Sequence, residues 1–575
     1  MSGIETDRRP VAHSANAAWD HTQRRGASDL VFLSVLVLIS VVPYVTQLGF
    51  YSDDWAFLAL LINTPDQSLN GLLAAQYEFN ANLRMRPTQI AYQALLFTAF
   101  GLSPQGYHVV NAAMLASVAI LVYLVLRELE VHRTVALSIP AVYILLPNYS
   151  TDRFWFAAFG YALSTALFLA STYAFLRAAR STHHSRWTWS VLAVLALTTA
   201  TLGMEVVIPL ALAIPVALWF QGKRHLRGGP SLTSPHGFFL LCSPLAIVTA
   251  VIVYKIRAAE VSGVPGLFYV VRLAVGSFAV NFGTYGIALP YTVGWSLRHL
   301  SLGGTALGTL LGGVVFTYLW ASEDPPQSRR VWTTIMLIGG AIFCLGIAIF
   351  LTTPRIDFAS VGIANRVWIA AAAGVSTLLV GASGWLTSRL VNDARRRILF
   401  ATAIAALCVS GFVINTALST FWIAAWSRQL QILDEIQRVL SVAPPRTTLI
   451  LHQVCPYIGP AIVFESSWDL AGALQVIYRD PTLRADVTSG QFSAWDDGLS
   501  TRIYDKVSKY RYGQDVLLFK HQQRIAVPLT NSRVARAELA GPTNCPESSA
   551  GRGAVELPID SWYRKAEISG FRPWR

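Results

Sequence analysis

Residues 331–354 read VWTTIMLIGGAIFCLGIAIFLTTP, a stretch without a charged side chain. A helix of this length crosses the hydrocarbon core of a bilayer, which needs about 20 apolar residues. Ten further stretches have a comparable composition: 30–50, 109–126, 135–150, 154–176, 187–204, 206–221, 238–254, 300–322, 367–388 and 398–427. The sequence therefore predicts an all-α polytopic membrane protein with eleven spans.

Two segments leave the number of spans open. Residues 88–102 are apolar but short, and residues 273–297 are long enough but contain Asn281, several glycines and Pro290. If both segments cross the membrane, the number of spans rises from eleven to thirteen.

Composition supports the membrane class and excludes several others. Hydrophobic residues make up 53% of the 575 positions, charged residues only 13%, and the mean hydropathy is +0.45. These values exclude an ordinary soluble enzyme, a disordered chain and a disulfide scaffold. The formal net charge of +13 does not indicate nucleic acid, because the basic residues lie mostly between apolar stretches, where they face lipid headgroups.

The distribution of Lys and Arg predicts the orientation. With the N-terminal tail 1–29 in the cytoplasm and both ambiguous segments on the outer side, the inner loops hold 18 Lys and Arg residues in 79 positions. The outer loops, of which 51–106, 255–299 and 354–366 are the longest, hold 9 in 122. This asymmetry follows the positive-inside rule. The predicted transmembrane domain is 30–427.

Residues 428–575 have the composition of a soluble domain. Helical periodicity covers 429–440, the segments 447–451 and 516–519 have strand character, and 471–478 is a candidate helix. The sequence thus predicts a C-terminal α/β domain, and an odd number of spans places it on the extracytoplasmic side of the membrane. There Cys455 and Cys545 either form a disulfide or remain free thiols.

The first outer loop contains the adjacent carboxylates Asp53 and Asp54, directly after the first span. Neighbouring carboxylates raise each other's pKa, and such a pair can accept a proton or hold a hard divalent cation such as Mg²⁺ or Mn²⁺. Asp is also a good residue at a helix N-terminus, so the alternative is that the pair only caps the following helix.

The outer loops supply further candidates. Arginine suits phosphate recognition, although it also anchors loops at the headgroup layer. His108 is a candidate acid, base or anion ligand, or a polar contact between helices. An acid at membrane depth usually has a partner or a function. On these grounds we single out Arg84, Arg86, Asp152, Glu205, Arg355 and Arg366, together with His108.

At these positions the sequence resembles a known superfamily. The resemblance rests on Arg86-Pro87, Phe100-Gly101, Gly106-Tyr107-His108-Val109-Val110-Asn111, Tyr123–Leu129, Arg133, Leu146-Pro147 and Trp155. These motifs, together with Asp53-Asp54, resemble membrane glycosyltransferases of the GT-C type. They are most similar to the branch of dolichyl-phosphate-mannose–protein mannosyltransferases and bacterial aminoarabinose transferases, over about residues 30–220. Gly203-Met204-Glu205 departs from the Lys-Glu pattern of that branch, which puts a charge-pair role of Glu205 in doubt.

The resemblance implies a transferase that uses a polyprenyl-phosphate sugar as its donor on the outer face, with inversion at the anomeric carbon. Asp53 or Asp54 would act as general base or help to hold a metal, and Asp152 is the second candidate acid. Arg84 and Arg86 would face the donor phosphate, and Arg355 and Arg366 are further candidates by loop position. The acceptor would be a hydroxyl of a glycan, lipid or protein, and the sugar a hexose or pentose.

Other functions remain open at this point. A lipid-linked sugar flippase or transporter would show internal repeats and acids in mid-span, which the sequence lacks. A non-catalytic relative that binds glycan through its C-terminal domain, a polysaccharide polymerase and a membrane acyltransferase are further alternatives. We expect the protein in a bacterial inner membrane. A transferase predicts that Asp53 and Asp54 share one outer cavity with Arg84 or Arg86.

Overall fold

The computed structural model describes residues 11–181, 183–224, 234–258, 266–352, 358–390, 393–488, 491–503 and 506–539. Helices dominate the first three quarters of the chain. They are α1 Val11–Val41, α2 Asp53–Asn63, α3 Leu69–Phe79, α4 Ala81–Arg84, α5 Pro87–Phe100, α6 Pro104–Glu128, α7 Arg133–Leu145, α8 Thr151–Phe154, α9 Phe159–Arg180, α10 His183–Gly203, α11 Ala213–Arg224, α12 Pro235–Ala258, α13 Leu267–Phe278, α14 Leu289–Leu297, α15 Leu302–Trp320, α16 Arg329–Ala348, α17 Ile369–Leu390 and α18 Asp393–Val439.

The described part of the chain contains nine helices long and apolar enough to cross a membrane, and two shorter apolar helices. Each of the eleven predicted spans contains a helix. Ten of them coincide with these apolar helices; the span predicted at 187–204 forms α10, which is not among them, whereas Leu267–Ile287 is. The segment 88–102 forms α5, which has 14 residues and is too short to span. The prediction of a polytopic helical membrane protein is therefore confirmed.

At one end of the helix bundle, a buried carboxylate connects several helices by hydrogen bonds. Asp29 of α1 is fully buried and accepts hydrogen bonds from Arg133 at 2.5 and 2.9 Å. It also accepts one from the Tyr123 hydroxyl at 2.5 Å and one from the Tyr318 hydroxyl at 2.7 Å. These contacts join α1, α6, α7 and α15 at what we call the Asp29 end.

The opposite end, which we call the Asp53 end, holds the polar residues of the predicted outer loops. The carbonyl of Gly49 lies 3.0 Å from Nε2 of His108, and the Tyr51 hydroxyl donates to the carbonyl of Trp422 at 2.8 Å. Glu205 and Lys255 also meet at this end, at 2.8 Å. The helix ends therefore separate into the two groups that the loop charges predict.

Residues Leu267–Ile287 satisfy the length and hydropathy of a span, but their contacts do not cross the bundle. Asn148 donates to Asn281 at 2.6 Å, and the Tyr285 hydroxyl donates to the carbonyl of Ser360 at 2.5 Å. The last turn of the preceding α12, which contains Lys255, lies at the Asp53 end, and the following α15 runs towards Tyr318 at the Asp29 end. The segment between them therefore makes no net crossing.

The C-terminal domain combines a mixed sheet with two helices. The four-stranded sheet has the order β4 Arg484–Val487, β1 Thr448–His452, β8 Val516–Lys520 and β9 Ile525–Pro528. In this sheet β1 pairs in parallel with β4 and β8, and β9 pairs antiparallel with β8. A second, antiparallel sheet has the order β5 Gln491–Ala494, β6 Gly498–Ile503 and β7 Lys506–Arg511. The remaining elements of the domain are the short strands β2 Tyr457–Ile458 and β3 Ala461–Ile462 and the helices α19 Ser467–Tyr478 and α20 Ser532–Glu538.

The predicted α/β character of this domain is confirmed. Helix α18 is continuous from the membrane region to Val439, so the predicted boundary at residues 427/428 lies within a helix. Cys455 is disulfide-bonded, and Cys242, Cys344 and Cys408 are free thiols. Cys545 lies outside the described residues.

The domain docks on the first loop through α19 and α2. Gly472 of α19 lies so close to α2 that a Cβ atom there would meet the carbonyl carbon of Trp55 at 2.5 Å and the amide nitrogen of Ala56 at 2.7 Å. Backbone atoms cannot move aside as a flexible side chain can. Gly472 therefore permits the close approach of the two helices.

We expect Gly472→Ala to lower the midpoint of thermal unfolding of the purified protein, because overpacking of this kind costs about 1–3 kcal/mol. Gly313→Ala is the control, since a Cβ atom at this helical position meets nothing within 4 Å. Equal midpoints for the two variants would contradict the proposed close contact.

Candidate active site

The carboxylate of Asp54 organises the loop that follows the first span. Asp54 is fully buried, and its two oxygens accept backbone hydrogen bonds from Tyr51 at 2.9 Å and from Ala157 at 2.8 Å. The carbonyl of Tyr51 accepts a third bond, from the indole of Trp155, at 2.9 Å. The loop is thus fixed to the segment after α8, and both oxygens of Asp54 are already engaged. These contacts favour a structural role over a catalytic one for Asp54, and neither donor is an N–H of α2, so the carboxylate holds the loop and does not cap that helix.

Asp53 has different surroundings and is only half-buried. Burial raises the pKa of its carboxyl, while the charges of Arg366 and Lys506 and the indole of Trp468 lower it. Both cations also lie over aromatic rings: Arg366 is 5.2 Å from the ring centre of Trp155, and Lys506 is 5.1 Å from that of Trp468. The charges of two cation–aromatic pairs therefore act on Asp53, one from the transmembrane domain and one from the C-terminal domain.

Asp152 is the second carboxylate near Arg366. It is fully buried in the short helix α8, and neither of its oxygens has a hydrogen-bond partner among the described residues. Burial raises the pKa of its carboxyl, and the charges of Arg366 and Arg153 lower it. Because Arg366 acts on both Asp53 and Asp152, it connects the two candidate acids.

The position of Arg366 follows from its neighbour Asn365, which is buried. The Asn365 amide donates to the carbonyls of Asn148 at 2.6 Å and Ser360 at 2.7 Å, and its oxygen accepts from the amide of Thr151 at 3.1 Å. The loop after α16 is thereby fixed beside α8. Asn365 is a positioning residue that brings Arg366 to Asp152.

Glu205 forms a charged cluster at the same end of the bundle. Its carboxylate accepts two bonds of 3.1 Å from Nε of Arg86, and Nη2 of Arg86 lies 2.9 Å away. Lys255 of α12 is 2.8 Å from Glu205 and also donates to the carbonyl of Met85 at 2.7 Å. Met204 replaces the lysine of the resembling motif, but Glu205 still has a charge pair, because Lys255 supplies an ammonium group from another helix.

The remaining candidates are less closely connected to Asp53. Arg84 is exposed, and its carbonyl accepts a bond from the Tyr254 hydroxyl at 2.7 Å. His108 is buried, and one ring nitrogen contacts the carbonyl of Gly49, which gives it the role of a polar contact between helices. Arg355 lies outside the described residues. The cations that act on Asp53 are Arg366 and Lys506, whereas Arg86 binds Glu205.

The surroundings of Asp53 do not fit a divalent-cation site. Both oxygens of Asp54 bind backbone amides, and Asp53 faces two cationic side chains. Within the described ranges, no group of three or more His, Cys, Asp or Glu residues is arranged to hold a metal ion. Cationic side chains therefore supply the positive charge near Asp53.

Sequence reasoning missed the contribution of the C-terminal domain. Besides Lys506 and Trp468, this domain supplies Glu465, whose Oε1 accepts a hydrogen bond from the Ser52 hydroxyl at 3.3 Å. These residues are more than 400 positions from Ser52 and Asp53, and they meet them through the docking of α19 on α2. The local sequence around them contains no signal that would have identified them.

The described elements define a multi-pass membrane protein whose C-terminal α/β domain covers a cluster of charged residues at one end of the bundle. A scan against models of protein families finds no match, and no curated protein matches. Among solved structures, the chain is similar to ArnT from Cupriavidus metallidurans bound to undecaprenyl phosphate. The identity is 13%, the match covers 78% of this chain and 84% of that chain, and the TM-score is 0.36.

A second similar structure is the Archaeoglobus fulgidus oligosaccharyltransferase tethered with an acceptor peptide. Here the identity is 13%, the match covers 79% of this chain and 63% of that chain, and the TM-score is 0.37.

The contacts of Asp54 predict a structural effect that separates it from Asp53. In Asp54→Asn, an amide group replaces one of two acceptor oxygens, so one buried backbone N–H loses its partner, at a cost of about 1–3 kcal/mol. We expect a lower midpoint of thermal unfolding than in the wild type, and a midpoint near that of the wild type for the half-buried Asp53→Asn. A larger loss for Asp53→Asn than for Asp54→Asn would contradict these roles.

Proposed function

We propose that this protein is a GT-C type membrane glycosyltransferase that moves a sugar from a polyprenyl-phosphate donor to an acceptor hydroxyl, with inversion. The observation that carries the proposal is the half-buried Asp53 carboxylate beside Arg366 and Lys506, at one end of a membrane-spanning bundle. A donor with a long isoprenoid tail approaches such a site from the bilayer. The proposed donor belongs to the same lipid class as the undecaprenyl phosphate in the ArnT structure.

In this mechanism Asp53 is the general base. It accepts the proton of the acceptor hydroxyl as the acceptor oxygen forms a bond to the anomeric carbon. The bond between that carbon and the phosphate oxygen breaks, and its electron pair stays on the phosphate. Attack opposite to the leaving phosphate accounts for inversion.

Arg366 and Lys506 stabilise the leaving phosphate. Positive charges fixed in a partly desolvated site stabilise the charge that develops in the transition state. A planar guanidinium matches two phosphate oxygens, which suits Arg366 for the direct contact. Asp152 would hold the other side of Arg366. The Arg86–Glu205–Lys255 cluster, which carries one excess positive charge, would form the basic edge of the donor site.

The protein would act on the outer face of a bacterial inner membrane. The separation of the Asp29 and Asp53 ends supports this orientation, because the loops rich in Lys and Arg belong to the Asp29 end. Acceptors of the proposed reaction are glycan, lipid or protein hydroxyls.

The decisive test is transfer of labelled sugar from synthetic polyprenyl-phosphate donors by the purified protein in liposomes. We expect Asp53→Asn to lower kcat by about 10²–10⁴-fold, the usual contribution of a general base. Asp434→Asn removes an exposed carboxylate on α18 and is the matched control, with expected wild-type activity.

Full activity of folded Asp53→Asn would exclude Asp53 as the base. If the wild type transfers no sugar from any donor but carries the lipid-linked sugar across the liposome membrane, the protein is a flippase. Binding of glycan without transfer or transport would identify a non-catalytic relative.

The charge of Arg366 predicts a change in pH dependence. Arg366 lowers the pKa of Asp53, and the base must be ionised to act, so its removal raises that pKa. We expect the acid limb of the kcat/KM profile to move to higher pH in Arg366→Gln and to stay near its wild-type position in Arg366→Lys, which keeps the charge. A limb unchanged in Arg366→Gln would contradict the coupling.

A further inference from the structure

The C-terminal domain contains a polar cavity that the proposed reaction does not use. It has a volume of about 330 Å³ and lies between the last turns of α18 and the segments that follow β1 and β8. Ligand pockets begin at about 300 Å³, so this cavity has room for one small polar group. Arg428, Gln431 and Glu435 line it from α18, and His521 and Arg524 line it from the β8–β9 turn.

The charged groups in this cavity form a connected set. Glu435 and His521 are both buried, and Oε2 of Glu435 lies 2.9 Å from Nδ1 of His521. Oε1 of Glu435 accepts from the Gln431 amide at 3.1 Å and lies 3.5 Å from Arg524. The Gln431 oxygen in turn accepts from Nη1 of Arg428 at 2.7 Å. Among the residues that the structure describes, Glu435 is the one carboxylate that lines the cavity, and it is already paired. An arginine has five N–H donors, and Arg428 uses one in this network.

The net charge of the cavity is positive. Two arginines face one glutamate, and His521 adds no charge at neutral pH because burial lowers its pKa, as do the charges of Arg428 and Arg524. Further amide groups, including that of Gln453, line the wall and can bind hydroxyls. The apolar side chains of Ile458 and Val463 and the disulfide-bonded Cys455 also line it. This mixture matches a sugar ring with an anionic substituent.

The cavity shares a wall with the candidate active site. Next to Arg428, the Gln429 side chain accepts a bond from the Trp55 indole at 2.8 Å, two residues after Asp53. Val463 lines the cavity, and Glu465, two residues later, binds Ser52. The part of α18 around Arg428 and the part of the chain from Val463 to Glu465 therefore each contact the first loop on one side and line the cavity on the other.

We infer that this cavity is an acceptor subsite that binds an anionic sugar residue through Arg428 and Arg524, so that the acceptor is an acidic glycan. The inference rests on the proposed transferase function and names its acceptor class. A carboxylate and a phosphate both match the two guanidinium groups. The position on the soluble domain favours an acceptor over the lipid-linked donor.

Binding of small probes to the full-length protein in nanodiscs tests the inference directly. Glucuronate and glucose 6-phosphate are the carboxylate and phosphate probes, and glucose is the neutral probe. We expect at least one anionic probe to bind about tenfold more tightly than glucose, and Arg428→Gln and Arg524→Gln each to weaken it about tenfold, as for a lost charge-assisted hydrogen bond. Arg438→Gln, an exposed arginine of the same helix outside the cavity, should leave binding unchanged.

The anionic probe that binds identifies the substituent. Equal binding of glucose and both anions, or binding unaffected by both cavity variants, would overturn the inference. In the transfer assay with an acidic oligosaccharide acceptor, Arg428→Gln should raise the KM for the acceptor with little change in kcat. If the wild type transfers sugar and Arg428→Gln has the same KM for the acceptor, the subsite is refuted. The transferase function is then still supported. Arginine-dependent probe binding without any transfer would support the anion site and refute the transferase function.

Discussion

The buried carboxylate of Asp54 fixes the geometry on which the rest of the site depends. By accepting the backbone amides of Tyr51 and Ala157, it joins the end of the first span to a segment 103 positions further along the chain. Such a group is costly to bury and is stable only because both oxygens have partners. The hydrogen bonds that form this turn are made by Asp54 and not by its neighbour Asp53. The two adjacent acids therefore have separate tasks, one structural and one proposed to be chemical.

The site is completed by parts of the chain that are far apart in sequence. The first loop supplies Asp53, the loop after α16 supplies Arg366, and the C-terminal domain supplies Lys506 and Trp468. Helix α18 runs without interruption from the bundle into the soluble domain, and its Gln429 binds Trp55 of the first loop. A continuous helix transmits position with little flexibility. The domain is therefore built as a fixed cover of the Asp53 end, with its own cavity on the far side of the same wall.

The sequence predicts the parts of this structure that depend on composition. Long uncharged stretches predict where helices cross a membrane, and the charges of the loops between them predict which helix ends lie together. Asp53, Asp152 and Arg366 are found because charged residues in outer loops are few. The contacts that choose between Asp53 and Asp54 are not visible in the sequence, since the amide of Ala157 acts through the fold. Lys255 likewise supplies the charge partner of Glu205, which Met204 cannot, only because α12 packs beside Glu205. The local sequence around Glu205 does not predict that packing.

The proposed chemistry also accounts for why a carboxylate and cations belong together at this site. A polyprenyl-phosphate sugar is a phosphodiester with one negative charge, and loss of the sugar leaves a phosphomonoester that gains a second. At the same step Asp53 accepts the acceptor's proton and loses its own negative charge. The total charge beside Arg366 and Lys506 is therefore conserved while it moves from the carboxylate to the phosphate. In a partly desolvated site, where an uncompensated charge is expensive, the same two cations serve the resting carboxylate before transfer and the leaving phosphate after it.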